Sequence, residues 1–385
     1  MVNGFEFATA ARVLFGCGRL SELPALAREF GGCALVVTGR TARHAEKILP
    51  ALRAQGMVTV SFAVATEPTI ALAQSGAELA RREHCELVIA LGGGSVIDAG
   101  KAIAALATNP GDALDYLEVI GRAQPLTNAP LPFIAVPTTA GTGSEATRNA
   151  VLHSPEHRVK VSLRSPLMLP RIALVDPELT RDLPPALTAS TGLDALTQLI
   201  EPFVSQRANP MTDALCRESI PRAARALRGA FDDGGNMEAR TDLALASLHG
   251  GMALANAGLG AVHGFAAPIG GMLNAPHGAV CAALLADVME CNLETARQQN
   301  AQPVLQRYEE VARLLNGTAS VTALDGVTWV RELCGHLQIP RLAALGLTRA
   351  NFADIAAKAQ QSSSMKGNPL ALTTEQLVEI LERAF

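Results

Sequence analysis

The 385-residue sequence predicts an α/β domain on a parallel sheet over residues 1–180, followed by an all-helical domain over residues 181–385. Three observations predict this. Before Pro177, short apolar runs alternate with helical segments of ten or more residues, the pattern of βαβ units and a parallel sheet. A glycine turn, Leu91-Gly-Gly-Gly-Ser-Val-Ile-Asp-Ala-Gly-Lys101, joins one of those runs to a helix. After Pro177 strand-like runs nearly vanish, and 3.6-period segments rich in Ala and Leu continue to Phe385, so the boundary falls near Pro177–Pro185.

The elements follow in order. Phe5 to Gly18 reads as an opening strand and turn, and Leu20 to Phe30 as a helix. Gly32 to Thr38 is a buried strand by its apolar run, and Gly39-Arg-Thr-Ala-Arg-His44 opens the next helix. Val58 to Val64 is a strand, followed by a helix from about Thr69 to Glu83. Cys85 to Leu91 is a strand, Val96 to Leu106 a helix, and Pro130 to Val136 another strand. His157 to Ser162 and Ile172 to Asp176 add strand-like pieces.

Composition narrows the function classes. With 49% hydrophobic and 18% charged residues the chain is globular. A formal charge of −4 gives no basic footprint for nucleic acid. No apolar run reaches the roughly 18–20 residues of a membrane span, and the first residues lack a signal peptide's pattern. A cytoplasmic protein is expected. The seven cysteines are odd in number, scattered, and mostly inside apolar runs, which suits reduced core thiols. No C-x-x-C pair occurs, so no cysteine zinc site is expected.

The glycine turn leaves backbone N–H groups free at a helix start, where the helix dipole adds positive charge. A phosphate or pyrophosphate is the natural guest of Gly92, Gly93 and Gly94, and Ser95 is placed to cap the helix and to donate to phosphate. Topology alone also requires such turns in some α/β domains, and neither G-x-G-x-x-G nor the P-loop spacing is met. A second hydroxyl-rich turn, Pro137-Thr-Thr-Ala-Gly-Thr-Gly-Ser-Glu145, follows another strand; two such turns at strand C-termini can share one dinucleotide. Read alone it is equally an ordinary loop. Lys160 sits in a strand-like run, with solvent its default direction. Thr38-Gly39-Arg40 lacks the carboxylate that holds a ribose 2′-hydroxyl, so Arg40 and Arg43 permit NADP(H), with two surface arginines at a helix start the equal alternative.

In the second half, Asp194 and Gln198 lie at i and i+4 of a helix read from Thr188 to Val204. Asp194 stands among Leu193, Ala195, Leu196, Leu199 and Ile200, and a buried carboxylate needs a partner, a hydrogen bond or a metal. His263 and His277 lie in an almost charge-free segment broken by Pro268, Gly270-Gly271 and Pro276. His263 is therefore expected on one helix and His277 at the start of the next. Carboxylate and imidazoles from facing helices suit a divalent metal. Satisfied core residues are the alternative.

Together these stretches resemble the iron-dependent (group III) alcohol dehydrogenases, a superfamily that includes lactaldehyde reductase, 1,3-propanediol dehydrogenase and maleylacetate reductase. The resemblance rests on Phe15-Gly-Cys-Gly18, Gly92-Gly-Gly-Ser-Val-Ile-Asp98 with Lys101, Pro137 to Glu145, Gly192-Leu-Asp-Ala-Leu196, Gly260-Ala-Val-His263, Pro276-His-Gly278 and Gly367-Asn-Pro369. It implies a dinucleotide-binding α/β domain, a helical domain, a reaction site in the cleft between them, and a homodimer or larger assembly. It implies that Gly92, Gly93, Gly94, Ser95, Asp98, Thr138, Thr139, Thr142, Thr147 and Lys160 meet NAD(P)(H), and the reading of Thr38-Gly39-Arg40 adds Gly39 and Arg40. Asp194, His263 and His277 fall on its iron or zinc ligands and reaction centre, with Gln198 beside them. The expected activity is hydride transfer between nicotinamide and a small alcohol or aldehyde, with the metal polarising the substrate oxygen.

Two positions depart from the family. Its metal helix carries His four residues after the Asp, where this chain has Gln198, and an amide oxygen is a poorer ligand than imidazole. Its His four residues after the first metal His is Ala267 here. A metal-independent reductase of the maleylacetate reductase type is therefore an alternative. A lyase or synthase of the dehydroquinate synthase type and a non-catalytic dinucleotide-binding protein are others. Ala150, Leu254 and Ala267 predict a roomy pocket. Arg148 and Lys366 are either surface charges or attractants for an anionic substrate.

Overall fold

A computed structural model describes residues 4–41, 43–157, 159–273 and 275–385. It divides into two compact units: Thr9–Thr139 with Gly143–Arg181, and Met1–Ala8 with Ala140–Thr142 and Asp182–Phe385.

The first unit runs β1 (Arg12–Phe15), α1 (Leu23–Arg28), β2 (Cys33–Gly39), α2 (Ala45–Ala54), β3 (Val58–Val64), α3 (Ile70–Arg82), β4 (Leu87–Gly92), α4 (Gly94–Thr108), β5 (Phe133–Pro137), β6 (Asn149–Ser154), β7 (Val159–Arg164) and β8 (Ile172–Val175). Six strands form a parallel sheet in the order β1-β8-β5-β4-β2-β3. The central strands are apolar along their whole length because helices cover both faces. Alternation along β2 shows this: Ala34 and Val36 pack with Leu23, Ile48 and Leu52, whereas Leu35 and Val37 pack with Val96, Ile97 and Ile103. β3 extends the sheet on one side of β2, and β4 returns to its other side. The strand order therefore reverses between β2 and β4, and ligands of open α/β sheets collect at the C-terminal ends of strands at such a point. β6 and β7 form a separate antiparallel pair.

The second unit holds α5 (Pro185–Val204), α6 (Pro210–Asp232), α7 (Met237–Ala257), α8 (Ala261–Leu273), α9 (His277–Gln298), α10 (Gln302–Asn316), α11 (Ala323–His336), α12 (Phe352–Gln361) and α13 (Thr374–Ala384). β8 is the last strand among the described residues. α5 is buried almost continuously from Thr188 to Val204 and packs against α6, α7 and α9, so it is the axis of this unit. No single described helix is long and apolar enough to cross a membrane; α7 and α8 pass that test only together, and they meet at 100°.

Several local expectations change. α1 begins at Leu23, after a 3₁₀ turn over Arg19–Glu22. α2 begins at Ala45, later than the Gly39–His44 stretch suggests, and Ala42 lies outside the described residues. The run read from His157 pairs as Val159–Arg164, with Arg158 outside the described residues. Pro268 does not break its helix: α8 continues to Leu273. A mid-helix proline costs about 3 kcal/mol. Burial of Val262, Phe265, Ala266 and Ile269 offsets that, at roughly 1.5–3 kcal/mol for each large side chain.

Candidate active site

In the sheet unit, two turns stand side by side because β4 and β5 are paired with Gly92 opposite Pro137. Thr138 donates its backbone N–H to the Gly92 carbonyl at 3.0 Å. A Cβ on Gly93 would lie 3.3 Å from the Thr139 side chain. A Cβ on Gly92 would meet Val96 at 2.6 Å, so α4 can start this close to its strand only from glycine. Gly39, at the end of β2, would have only Val96 within reach of an added Cβ, at 3.8 Å. Gly39, Gly92–Ser95 and Thr138–Thr139 thus rim the ends of β2, β4 and β5, around the reversal point.

The cap of α4 differs from expectation. Gly93 is the N-cap, Gly94 opens the helix, and no side chain caps it, so Ser95 is a first-turn residue. The first N–H groups of any helix lack intrahelical partners, and here no side-chain cap competes with an anion for them.

Lys101 and Asp98 are used by the fold. The fully buried Lys101 ammonium donates to the Ser144 carbonyl at 3.0 Å, to Thr147 Oγ1 at 2.8 Å and to the Asn149 carbonyl. It also lies 3.3 Å from Asp98 Oδ1. The Asp98 carboxylate accepts from Ser144 Oγ and from the Val151 N–H at 3.0 Å. This network straps the second turn to α4, so Asp98 and Thr147 meet protein groups. Burial pushes Glu145 beside it up to about 7, more than its own backbone hydrogen bond and Lys101 pull it down. Lys160 does not face solvent: its side chain is 5% exposed and pairs with Glu67 at 3.1 Å. Arg40 and Lys366 are exposed, and Thr142 is half-buried. Ala150 is fully buried in the sheet unit's core, whereas Leu254 and Ala267 are partly exposed.

In the helical unit, three helices bring Asp194, His263 and His277 together. Asp194 Oδ1 lies 3.4 Å from His263 Nε2 and 3.7 Å from His277 Nε2. His277 is the first residue of α9, and Gly278 beside it allows the approach: a Cβ there would meet the Ser190 carbonyl at 2.6 Å. His263 is 6% exposed and His277 keeps 35% of its side chain accessible, so the cluster reaches solvent along His277.

Residues not singled out from the sequence complete the arrangement. Glu201, seven positions after Asp194 on the same face of α5, takes the His263 Nδ1 proton at 2.7 Å and the Val262 N–H at 2.7 Å. That turns Nε2 toward the cluster, the carboxylate–histidine arrangement typical of metal ligands. Asn368, inside Gly367-Asn-Pro369, accepts from the Ala261 N–H at 3.1 Å, so α8 starts on two side-chain acceptors. Gly260 leaves room for both: a Cβ would lie 2.9 Å from Glu201 Oε1 and 3.0 Å from Asn368 Oδ1. Cys281, one turn after His277, has its Sγ 3.8 Å from His263 Nε2 and 3.7 Å from His277 Nε2. It is one of seven free thiols, but not merely a core one. The i+4 and i+7 spacings were the signals available for Cys281 and Glu201.

The cluster is short of positive charge. Burial disfavours ionised Asp194, yet His277 and His263 outweigh it and hold the carboxyl below its usual range. Burial likewise disfavours both imidazoliums, but Cys281 with Glu201 and Asp194 raises His263 well above its ordinary value, and Cys281 with Asp194 raises His277. Desolvating each ion costs several kcal/mol unless it is compensated. Gln198 donates its amide N–H to Asp194 Oδ2 at 3.1 Å, which leaves Asp194 Oδ1 and Gln198 Oε1 buried without hydrogen-bond partners. Asp194, His263, His277 and Cys281 present donor atoms all within 4.8 Å of one another. Orphaned acceptors, oriented imidazole and a thiol are the donor set that a divalent transition metal satisfies.

Residues 10–177 match the family of iron-containing alcohol dehydrogenases, and residues 188–385 match the C-terminal domain of the same family. The chain belongs to the iron-containing alcohol dehydrogenase family. It is 35% identical over 394 residues to 1,3-propanediol dehydrogenase of Citrobacter freundii, covering 99% of both chains. A solved structure of 1,3-propanediol oxidoreductase matches with TM-score 0.92 and 34% identity, over 100% of both chains. Sulfoacetaldehyde reductase of Bifidobacterium kashiwanohense, solved with NAD⁺, matches with TM-score 0.87 and 29% identity over 99% of both. Within this oxidoreductase family, which uses NAD(P) and a metal, this chain holds Gln198 against Asp194 and sets Cys281 beside the two imidazoles.

Proposed function

We propose that the protein is an NAD(P)-dependent alcohol dehydrogenase, or aldehyde reductase in reverse, acting on a small alcohol with a divalent metal held by Asp194, His263 and His277. The observation that carries this is the meeting of one carboxylate oxygen and two imidazole nitrogens from three helices, with that oxygen buried and orphaned. When bound, the cation supplies Lewis-acid polarisation of a substrate oxygen, and the nicotinamide accepts or gives the hydride.

The chain's own groups set up that chemistry. Glu201 faces His263 Nδ1, so Nε2 is the nitrogen turned toward the cluster, where a bound cation would displace its proton. Gln198 acts as a positioning residue, holding Asp194 Oδ2 so that Oδ1 is presented to the metal. The open side at His277 is where a substrate oxygen approaches. Gly92, Gly93, Gly94 and Ser95 hold the pyrophosphate on the start of α4, with Thr138, Thr139 and Thr142 alongside. Asp98, Thr147 and Lys160 serve the cofactor by fixing the shape of its site. Gly39 leaves the ribose side open and Arg40 offers a cation there, so both NAD(H) and NADP(H) are accepted.

A metal-stripped preparation assayed with propane-1,3-diol and other small alcohols, with either cofactor, tests the reading. The expected result is activity lost on chelation and restored by Fe²⁺ or Zn²⁺. Full turnover without metal would establish the metal-independent alternative, and product formation without net NAD(P)H change would establish the lyase one.

A further inference from the structure

We propose that Cys281 is a fourth protein ligand of this metal, and that its thiolate makes the centre a zinc site in preference to an iron site. The inference rests on the reading that Asp194, His263 and His277 hold a divalent cation.

The distances support it. Zinc bonds of 2.0–2.2 Å to N and O and 2.3 Å to S require tetrahedral edges of about 3.3–3.4 Å between N and O, and about 3.5–3.6 Å between S and N. The Asp194 carboxylate oxygen stands 3.4 and 3.7 Å from the two imidazole nitrogens, and Cys281 Sγ stands 3.8 and 3.7 Å from the same nitrogens. These four of the six edges are each within a few tenths of an ångström of what one cation needs, and the other two are at most 4.8 Å. Cys281 is buried on the second turn of α9, one turn past His277, so one rigid helix presents both donors.

The chemistry points the same way. The family resemblance puts an imidazole at position 198, and this chain has Gln198 there, whose amide is directed at Asp194 Oδ2. The three remaining ligands leave a place for one more protein donor, Cys281, and a substrate oxygen would add as a fifth ligand from the open side at His277. Thiolate is soft and selects zinc, whereas the oxygen and imidazole donors alone also suit iron. As the metal–sulfur bond forms, the Cys281 S–H bond breaks and its proton passes to solvent.

Cobalt(II) reports the bond directly. Wild-type apoprotein titrated with Co²⁺ is expected to bind one equivalent and develop the intense near-ultraviolet thiolate-to-cobalt charge-transfer band. Cys281→Ala is expected to lack the band and to bind Zn²⁺ about 100-fold or more weakly, since even outer-shell changes cost 10–100-fold. In anaerobic competition, wild-type protein should take Zn²⁺ over Fe²⁺, a preference that C281A reduces. One bound cobalt without the band, with zinc affinity unchanged in C281A, overturns the Cys281 assignment and leaves the three-ligand reading standing. Wild-type protein that binds neither metal stoichiometrically overturns both. The wild-type spectrum decides even where C281A fails to fold.

Discussion

Both units bury charge, and they treat it in opposite ways. In the sheet unit, the Lys101 ammonium donates to three oxygens and leans on Asp98, whose own carboxylate takes Ser144 and the Val151 N–H. That network is closed by the protein itself, and it shapes the strap around the glycine turn. In the helical unit, Asp194 Oδ1 and Gln198 Oε1 are left without hydrogen bonds amid two imidazoles and a thiol. A closed network of buried charge is part of the scaffold. An open one marks the place for a ligand, because leaving such atoms unpaired costs roughly 1–3 kcal/mol each.

The sharpest way to break this comparison is to cut each network once. Lys101→Met should cost the fold about 3–5 kcal/mol, because it strands the partners of a buried cation, and it should leave metal affinity unchanged. Urea denaturation and metal titration read the two quantities, and a loss under about 1 kcal/mol would show that the strap is not structural. Asp194→Asn should do the reverse. Metal affinity and kcat/KM should fall by about a thousandfold, roughly 4 kcal/mol. Apoprotein stability should fall by less than for Lys101→Met, since Asn keeps an acceptor for Gln198 while the two imidazoles lose their carboxylate partner.

The third contrast is in pH. Glu145 titrates near 7 in the fold against 4.5 ordinarily, so between those values the folded state binds more protons than the unfolded one. Stability from this group therefore falls as pH rises from about 4.5 to 7, by at most about 3 kcal/mol. Glu145→Gln should flatten that slope, and thermal melting across the range checks it. The smallest effect sharpens rather than breaks the comparison. Glu201→Gln keeps a hydrogen-bonding side chain beside His263 but removes its charge, so metal affinity should drop 10–100-fold. Competition against a coloured chelator measures it, and wild-type affinity would reduce Glu201 to a cap of α8.

The same difference explains what the sequence made legible. The cofactor turn is backbone chemistry in contiguous residues, so Gly92 to Lys101 reads as a turn and helix without any tertiary knowledge, and β3 emerges at Val58–Val64 as its apolar run indicates. The metal cluster is side-chain chemistry from α5, α8 and α9, and only residue types and family likeness pointed to it. Cys281 escaped because a cysteine site was sought as a C-x-x-C pair, whereas here the thiol shares a helix face with His277. Glu201 escaped because its role lies in the His263 Nδ1 proton, two helices meeting. The closed state of Asp98 and Lys160 was equally hidden, since their partners, Val151 and Glu67, are distant in sequence. Pro268 misled because packing along α8 outweighs a local helix preference.

Asn368 holds the first N–H of α8, five residues from the loop that ends at Thr373 and more than a hundred after His263. The start of α8 is thus closed by a contact of very long sequence separation, one that no local folding step can form.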